Sequence, residues 1–374
     1  MDPKPFAPSD PLPIRVLPLE KRKHLARLAD VLQNPDASPA PCDPANIKMI
    51  QNCAASIQLA RKNGSSVILM YGAHLLRNGA GLVLGKMIEN GWVTHLATNG
   101  AGSIHDWEFS FLGQTSESVR DNVATGTFGT WDETGRTINL AILAGGLRGE
   151  GYGTSLGRCI MEDGFEIPDA STLEQQLRTE PLHPLAPARA ELLAAMLRHK
   201  LTSGKIQISH PHKQSSIIGQ AFAHKVPMTV HPGIGYDIIT NHPLFNGAAI
   251  GRAAAIDFRL ICGSVEGLDN GVVLSVGSAI MAPQVFEKSM SCVNNMRLQQ
   301  QRKTVHGHQI FVVDLQEGGN WDWTQGEPPK TNPAYYLRFC KSYARMGGAM
   351  HYLCCDNVTF VHHLYKELVQ LNKP

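Results

Sequence analysis

The segment THLATNGAGSIHDWE (residues 94–108) combines small residues with side chains that bind charge or move protons. Its Gly-Ala-Gly tripeptide (100–102) leaves the backbone bare, so a flat or anionic ligand can approach it closely. Ser103 and Asp106 follow at the spacing of residues that begin a helix, and the first turn of a helix favours phosphate. The spacing therefore predicts a ligand site where an apolar strand meets a helix.

Three other predicted strands end in small residues in the same way, namely YGAH (71–74), HPGIG (231–235) and VGSAI (276–280). In open parallel sheets, ligands bind at the carboxyl ends of the strands. Four such ends in one sheet favour a nucleotide over ordinary tight turns, although none has the Gly-x-Gly-x-x-Gly spacing. The predicted cofactor-binding residues at these ends are Gly72, Ala73, Thr98, Asn99, Gly100, Ala101, Gly102, Gly277 and Ser278.

Short apolar runs alternate with helical patterns from residue 65 onward, which predicts a parallel sheet covered by helices. The predicted strands are 65–72, 92–100, 205–209, 226–230, 272–277, 309–315 and 349–354. The predicted helices are 20–33, 45–62, 73–91, 187–202, 213–224, 247–262, 282–296, 333–346 and 357–370. The fold class is therefore α/β, with a doubly wound, mostly parallel, Rossmann-like sheet.

The same pass along the chain predicts its organisation. Residues 1–62 form an N-terminal arm and helical extension, and residues 63–374 form the Rossmann-like domain. Within that domain, the Gly- and Thr-rich region 114–185 is interpreted as an insertion with a helix or two and long loops.

Composition narrows the class of protein. The chain has 374 residues, of which 43% are hydrophobic and 18% charged, and its formal net charge of +2 argues against a nucleic-acid partner. No apolar run approaches the roughly 20 residues of a membrane span, and the Pro-rich, acidic N-terminus differs from a signal peptide. Eight cysteines are dispersed without a Cys-x-x-Cys pair, as in a reducing compartment. These features predict a cytoplasmic protein with no membrane partner.

The stretch VILMYGAHLLRNGAGLVLGKMIENGWVTHLATNGAGSIHD (67–106) resembles the first strand–helix–strand unit of deoxyhypusine synthases. Fainter similarity follows in the same order in VPMTVHPGIGYDI (226–238), in residues 254–279 and in VVDLQEGGNWD (312–322). The resemblance implies an NAD-binding Rossmann-like fold and a homo-oligomer, usually a tetramer. It also implies cofactor contacts at Asp237 and Gln316 and a site acid at Asp322.

Two departures from that family change the expected chemistry. The catalytic lysine of the synthases falls on Phe339, and neither Lys341 nor Lys330 is in register. A segment that carries a polyamine-site histidine becomes Met-Ala-Pro (281–283). Because no covalent imine forms without the amine nucleophile, we do not expect deoxyhypusine synthase activity.

A second stretch, NGAGSIHDWE (99–108), is similar to the Asn-Ala-x-x-x-His-Asp-x-Glu segment of NAD-dependent ornithine cyclodeaminases. Those enzymes oxidise an amine by hydride transfer to bound NAD and need no lysine nucleophile. The similarity places Asn99, His105, Asp106 and Glu108 on that segment, and His74 at the end of the first strand is a further candidate base. The predicted catalytic residues are His74, His105, Asp106, Glu108 and Asp322.

The sequence thus predicts an NAD-dependent enzyme that acts on a small amine or amino acid without a covalent lysine intermediate. One alternative is a deoxyhypusine- or homospermidine-synthase-like aminobutyl transferase whose lysine is Lys341, and another is a non-catalytic relative that binds a nucleotide. His210 and His212 have the spacing of a metal-binding pair, which would indicate a hydrolase instead. Trp321 and Trp323 flank Asp322, where they either form a wall of a cation site or simply pack.

Overall fold

The computed structural model of the protein describes residues 14–373. Residues 1–13 of the predicted N-terminal arm lie outside the described residues. The strands are β1 (Ala26–Arg27), β2 (Val67–Tyr71), β3 (His95–Asn99), β4 (Gln114–Thr115), β5 (Gly164–Ile167), β6 (Gly204–Gln207), β7 (Met228–His231), β8 (Val272–Val276), β9 (Gln309–Asp314) and β10 (Ala349–Cys354).

The α-helices are α1 (Leu28–Val31), α2 (Pro44–Lys62), α3 (Ala73–Arg77), α4 (Gly81–Glu89), α5 (Gly100–Leu112), α6 (Val119–Ala124), α7 (Asp132–Gly146), α8 (Tyr152–Met161), α9 (Ala170–Thr179), α10 (Ala186–His199), α11 (Ile217–Ala223), α12 (Gly247–Glu266), α13 (Met281–Gln299), α14 (Arg338–Ala344) and α15 (Asn357–Leu371). Single turns of 3₁₀ helix cover Leu19–Lys21, Lys213–Ser215, Ile238–Asn241, Trp323–Gln325 and Pro333–Tyr336.

Six of the strands form one sheet in the order β10-β9-β8-β2-β3-β7, and all neighbouring strands in it are parallel. The chain first winds from β2 through β3 to β7, then returns to β8 and winds the other way. This is the strand order of dinucleotide-binding sheets, whose direction reverses between β2 and β8. The prediction of a doubly wound, Rossmann-like α/β fold is confirmed.

The central strand β2 explains why the strands appear in the sequence as continuous apolar runs. All five of its residues are buried. Val67, Leu69 and Tyr71 belong to the core on one face, where α2, α4 and α15 pack, whereas Ile68 and Met70 belong to the core beneath α12 and α13. A strand that is covered on both sides has no solvent-facing position, so polar residues do not alternate with apolar ones.

Two predictions about the middle of the chain are wrong. The predicted strand at 205–209 is β6, which pairs antiparallel with β5 outside the main sheet, so that sheet has six strands rather than about seven. The region 114–185 contains four helices, α6 to α9, instead of a helix or two with long loops. Most of α7 is buried, and α7 and α8 pack against each other and against α12 as part of the connection from β3 to β7.

Two predicted helices are interrupted by tertiary contacts. The stretch 20–33 contains a 3₁₀ turn, strand β1 and the single turn α1, and Leu25 on its predicted apolar face is 51% exposed. The stretch 73–91 divides into α3 and α4 around Gly79, whose φ is 87°. A Cβ atom at Gly79 would lie 2.0 Å from the Val31 carbonyl oxygen, so this glycine lets the N-terminal segment pack against the break.

Among residues 14–373, no helix is both long and apolar enough to cross a membrane.

Candidate active site

A cavity of about 340 Å³ opens at the carboxyl ends of β2 and β3. We call it the edge cavity. Its walls come from α3, from the first three turns of α5, from the segment 116–128, from the loop after β7 and from Arg22. It is lined by Arg22, Ala73, His74, Arg77, Ala101, Ile104, His105, Glu108, Ser116, Glu117, Val119, Phe128, Tyr236, Asp237 and Ile238.

Several residues predicted from sequence meet in this cavity although they lie far apart in the chain. The edge of a parallel sheet collects the ends of all its strands, and this explains the convergence. The predicted residues that line the edge cavity are Ala73, His74, Ala101, His105, Glu108 and Asp237.

Glu108 is held by a buried ion pair with Arg22, which the N-terminal segment brings to the cavity. The Arg22 guanidinium donates to Oε1 at 2.8 Å and to Oε2 at 2.6 Å, and both side chains are only 1% exposed. Thr115 and Thr134 add their hydroxyl groups to the same carboxylate. Burial alone would raise the pKa of Glu108, but the charge and hydrogen bonds of Arg22 outweigh it and hold that pKa below its ordinary value.

A hydrogen-bond chain links this ion pair to His105. Thr115 donates its only hydroxyl proton to Glu108 Oε2 at 2.5 Å, so at His105 Nδ1, 2.8 Å away, it can only accept. His105 therefore carries its proton on Nδ1 and keeps a lone pair on Nε2. Burial lowers the pKa of His105 to about 4, so the ring is neutral near pH 7. Such an imidazole can accept a proton or a hydrogen bond from a ligand.

Asp237 stands where the sequence predicts a phosphate. Its Oδ2 would lie 2.0 Å from a Cβ atom at Gly100, the first residue of α5, and it accepts the Gly233 N–H at 2.8 Å. The side chain is buried, which raises the pKa of Asp237 to about 6 despite the bond from Gly233. The first turn of α5 therefore already faces an anion of the protein itself.

The predicted start of α5 is wrong by one turn. The helix begins at Gly100, and Asn99 caps it by accepting the Gly102 N–H at 2.9 Å. Ser103 instead donates to the Gly100 carbonyl oxygen inside the helix. Asp106 caps a different helix, as described next.

The structure places Asp106 outside the edge cavity. Its carboxylate accepts the Ser216 hydroxyl at 2.5 Å and the N–H groups of Ile217 and Ile218 at 2.8 and 3.2 Å, at the beginning of α11. Burial raises the pKa of Asp106 to about 6, although these three bonds oppose the shift. Asp106 joins α5 to α11, and a catalytic role for it stays a prediction.

Asp257 of α12 caps the beginning of α8, from which it is distant in the sequence. Sequence analysis did not predict this role. Its Oδ2 accepts the N–H groups of Gly153 at 3.0 Å and Val230 at 2.8 Å, which joins α8 to β7. Its Oδ1 is buried without a hydrogen-bond partner. Burial raises the pKa of Asp257 to about 7, above its value in an unfolded chain.

We expect the substitution Asp257→Asn to change how stability depends on pH. Between about pH 4 and pH 7 the folded protein holds a proton on Asp257 that the unfolded chain has lost, so this group stabilises the fold increasingly as pH falls. Asparagine does not titrate. From pH 5 to pH 7 the wild type should therefore lose about 2 kcal/mol of unfolding free energy relative to the variant. Urea denaturation at both pH values measures this, and a pH-independent difference between the two proteins would contradict it.

The other predicted cofactor residues at the ends of β2, β3 and β8 pack closely against one another. Gly72 and Gly277 touch each other between β2 and β8, since a Cβ atom at Gly72 would lie 1.9 Å from the Gly277 carbonyl oxygen. The Thr98 hydroxyl donates to the Tyr71 carbonyl oxygen and fills the space beside Gly102. Ser278 follows at the end of β8 and is 7% exposed.

Gln316 and Asp322 lie beyond β9, on the other side of the reversal point. Asp322 is exposed and accepts bonds from the backbone and hydroxyl of Thr324, so it caps a 3₁₀ turn. With Trp321 and Trp323 it lines a separate cavity of about 310 Å³ near β10. Both indole N–H groups donate to backbone carbonyls within the loop. The structure thus does not bring Asp322 to the edge cavity.

The residues that bear on the other hypotheses have ordinary packing roles. Phe339 is buried near Tyr352, where it fills the core. The Lys341 ammonium lies 3.6 Å above the Tyr335 ring. His210 is buried, with its Nδ1 3.5 Å from Asp163 Oδ1, and the described part of the chain contains no group of three or more His, Cys, Asp or Glu residues that could hold a metal ion.

Comparison with known proteins gives structural matches only. No protein-family model and no curated protein sequence matches the chain. The apo structure of ArgZ, a cyanobacterial arginine dihydrolase, is 13% identical with a TM-score of 0.44 over 89% of this chain and 33% of ArgZ. A protein from Methanococcus maripaludis S2 assigned to the LOR/SDH group is 14% identical with a TM-score of 0.44 over 91% of this chain and 74% of that one.

A third match is an Entamoeba histolytica protein assigned as a deoxyhypusine synthase. It is 11% identical with a TM-score of 0.35, and the match covers 83% of this chain and 77% of that one. The chain spans about a third of the length of ArgZ. At these values the matches identify no family for this chain.

Sequence analysis missed Arg22, as well as three further residues in or behind the walls of the edge cavity, namely Thr115, Ser116 and Arg77. Thr115 lies in the two-residue strand β4, and Ser116 follows it with a φ of 66°, which is unusual for a residue other than glycine. Arg77 ends α3 and appears in the sequence as an ordinary polar helix residue. Since none of the three belongs to a motif, only the folded structure brings them to the cavity.

Proposed function

We propose that the protein is an NAD-dependent enzyme that acts on a small amine or amino acid without a covalent lysine intermediate. One observation carries the proposal. The edge cavity, which contains His74, His105 and Asp237, lies beside the reversal point of a sheet with the strand order of dinucleotide-binding proteins. A small polar substrate in this cavity would face a cofactor that lies across the ends of β2 and β8.

The residues at the reversal point fit a nucleotide in one respect. Asn357 of α15 is 7% exposed and its Nδ2 packs against Gly277, while its Oδ1 is buried without a hydrogen-bond partner. An orphaned buried carbonyl is unusual and points to a missing donor. NAD would be held here by Ser278, Asn357 and Ala73. The first turn of α5 does not fit its phosphates, because Asp237 already stands there.

The chain's own residues can prepare an amine for oxidation. NAD, when bound, supplies a hydride acceptor, and the substrate nitrogen must lose a proton before its neighbouring C–H bond can release hydride. The Asp237 carboxylate can hold the substrate ammonium group. The exposed His74 can take the proton, and His105, whose Nε2 lone pair is fixed by Thr115, can accept a hydrogen bond from the substrate.

The aminobutyl-transferase alternative has less support. Its proposed nucleophile, Lys341, is in contact with Tyr335 and does not line the edge cavity. A homotetramer and a cytoplasmic location stay predictions.

We expect the purified chain to bind NAD with micromolar affinity or better, and Asn357→Asp to weaken binding at least tenfold by adding a negative charge that repels the anionic nucleotide. Isothermal titration calorimetry with NAD measures both. Asn52→Asp, an exposed change on α2, is the matched control and should bind as the wild type does. If the wild type shows no heat of binding, and mass spectrometry of the denatured protein releases no nucleotide, the proposal fails.

A further inference from the structure

We propose that the edge cavity takes an α-amino acid as its zwitterion, with Arg77 holding the carboxylate and Asp237 holding the ammonium group. The inference deepens the proposed function and rests on it for the statement that this cavity is the substrate site. On this basis the cavity prefers amino acids to simple amines, and Arg77 is the residue that sets the preference.

Arg77 provides the first evidence that one end of the edge cavity binds an anion. It lines the cavity, and its charge is close enough to lower the pKa of His105. The other arginine of the cavity, Arg22, is already neutralised by its two-pronged bond to Glu108. No acidic oxygen of residues 14–373 lies within 4.0 Å of the Arg77 side chain. A guanidinium that is free in this way is suited to the planar, two-pronged recognition of a carboxylate.

Ser116 gives a second, independent indication of a polar ligand. Its Oγ is buried and has no hydrogen-bond partner in the described part of the chain. Its backbone has a left-handed conformation, with φ at 66°, which a serine rarely adopts. Strained residues of this kind cluster at ligand sites, where the surrounding structure holds them in place. The Ser116 hydroxyl is therefore available to donate to the same carboxylate.

Asp237 supplies the opposite charge. Asp237 is 4% exposed, and among the described residues only the Gly233 N–H donates a hydrogen bond to its carboxylate. No cationic side chain of these residues lies within 4.0 Å of it. A buried carboxylate without a cation is unfavourable, and an ammonium group from a ligand would supply the missing partner.

The overall charge of the cavity favours a zwitterion over a phosphate. Its lining contains two arginines and three carboxylates, from Glu108, Glu117 and Asp237. One of the arginines, Arg22, is already paired with Glu108. A phosphate with two negative charges would meet a net negative surface. A zwitterion places one charge of each sign against the two groups that lack partners, and a bare amine leaves Arg77 unpaired.

The test is calorimetric titration of the full-length chain, with NAD present at saturation, against a panel of L-amino acids. The best binder is then compared with its decarboxylated amine and with the carboxylic acid that lacks its α-amino group. We expect at least one amino acid to bind and each truncated compound to bind at least tenfold more weakly. Arg77→Gln should remove most of the preference for the amino acid over its amine, whereas Arg77→Lys should keep part of it.

Arg259→Gln is the matched control, because Arg259 is an exposed arginine on α12 that does not line the cavity. The inference is overturned if amines bind as well as amino acids, if no amino acid of the panel binds, or if Arg77→Gln binds the amino acid as the wild type does. Titration of NAD alone separates this from the proposed function. A protein that binds NAD but prefers amines disproves only the zwitterion site, and a protein that does not bind NAD disproves the proposed function.

Discussion

Replacing Gly72 with alanine is expected to destabilise the central sheet by about 3 kcal/mol or more. The new Cβ atom would lie 1.9 Å from the carbonyl oxygen and 2.9 Å from the carbonyl carbon of Gly277. Gly72 also donates its N–H to Val276 at 3.0 Å, so the ladder between β2 and β8 holds both backbones in place. Neither strand can move away without losing hydrogen bonds in the centre of the core.

Urea denaturation of the two proteins measures this effect. Gly251→Ala on α12 is the matched control, because a Cβ atom there meets nothing within 4 Å. Since alanine favours a helix, that variant should be more stable than the wild type by about 0.5–1 kcal/mol. An unfolding midpoint for Gly72→Ala that equals the wild-type value would show that the two strand ends are further apart than described.

Glu108→Gln is expected to destabilise the protein by about 3–5 kcal/mol. The change leaves the Arg22 guanidinium, which is only 1% exposed, without its principal counter-charge. Glu117 lies 4.0 Å from it and can compensate only in part. The segment 19–28 should detach from the cavity wall, and limited trypsin digestion should then cleave after Arg22 much faster than in the wild type.

Two controls separate charge burial from general damage. Glu89→Gln removes an ion pair of the surface, where Lys86 and Glu89 are each 50% exposed, and should change the unfolding free energy by less than about 1 kcal/mol. The double variant Arg22→Met with Glu108→Leu removes both buried charges and should recover much of the loss. If Glu108→Gln lowered the unfolding free energy no more than Glu89→Gln does, the Arg22 side chain would have to be exposed to water in solution.

The alternating units of the sheet could be predicted because their causes are local. Strands such as β2 and β8 are continuous apolar runs bounded by glycine, and α2 and α15 have regular helical periodicity. What failed depends on contacts between distant parts of the chain. Arg22 turns inward to reach Glu108, and this disrupts the helix predicted for its segment.

The sequence could predict which edge of the sheet carries the candidate site, but not which side chains face the cavity. Glycine-rich strand ends indicated one edge of the sheet, and the fold brings His74, His105 and Asp237 together in a cavity there. Sequence spacing predicted that Asp106 caps its own helix, α5, because an acid in the first turn is a common cap. In the fold its carboxylate instead caps α11. Arg77 gave no signal, since nothing in a sequence shows whether an arginine will find a partner.

The long-range ion pair between Arg22 and Glu108 also sets the order in which the cavity can be completed during synthesis of the chain. Arg22 leaves the ribosome before Glu108, and Asp237, which forms another wall of the same cavity, follows still later in the loop after β7. A nascent chain must therefore carry an unpaired arginine until Glu108 has been synthesised, and the pocket is incomplete until Asp237 follows. A small molecule that fits this pocket can recognise only chains that have passed both stages.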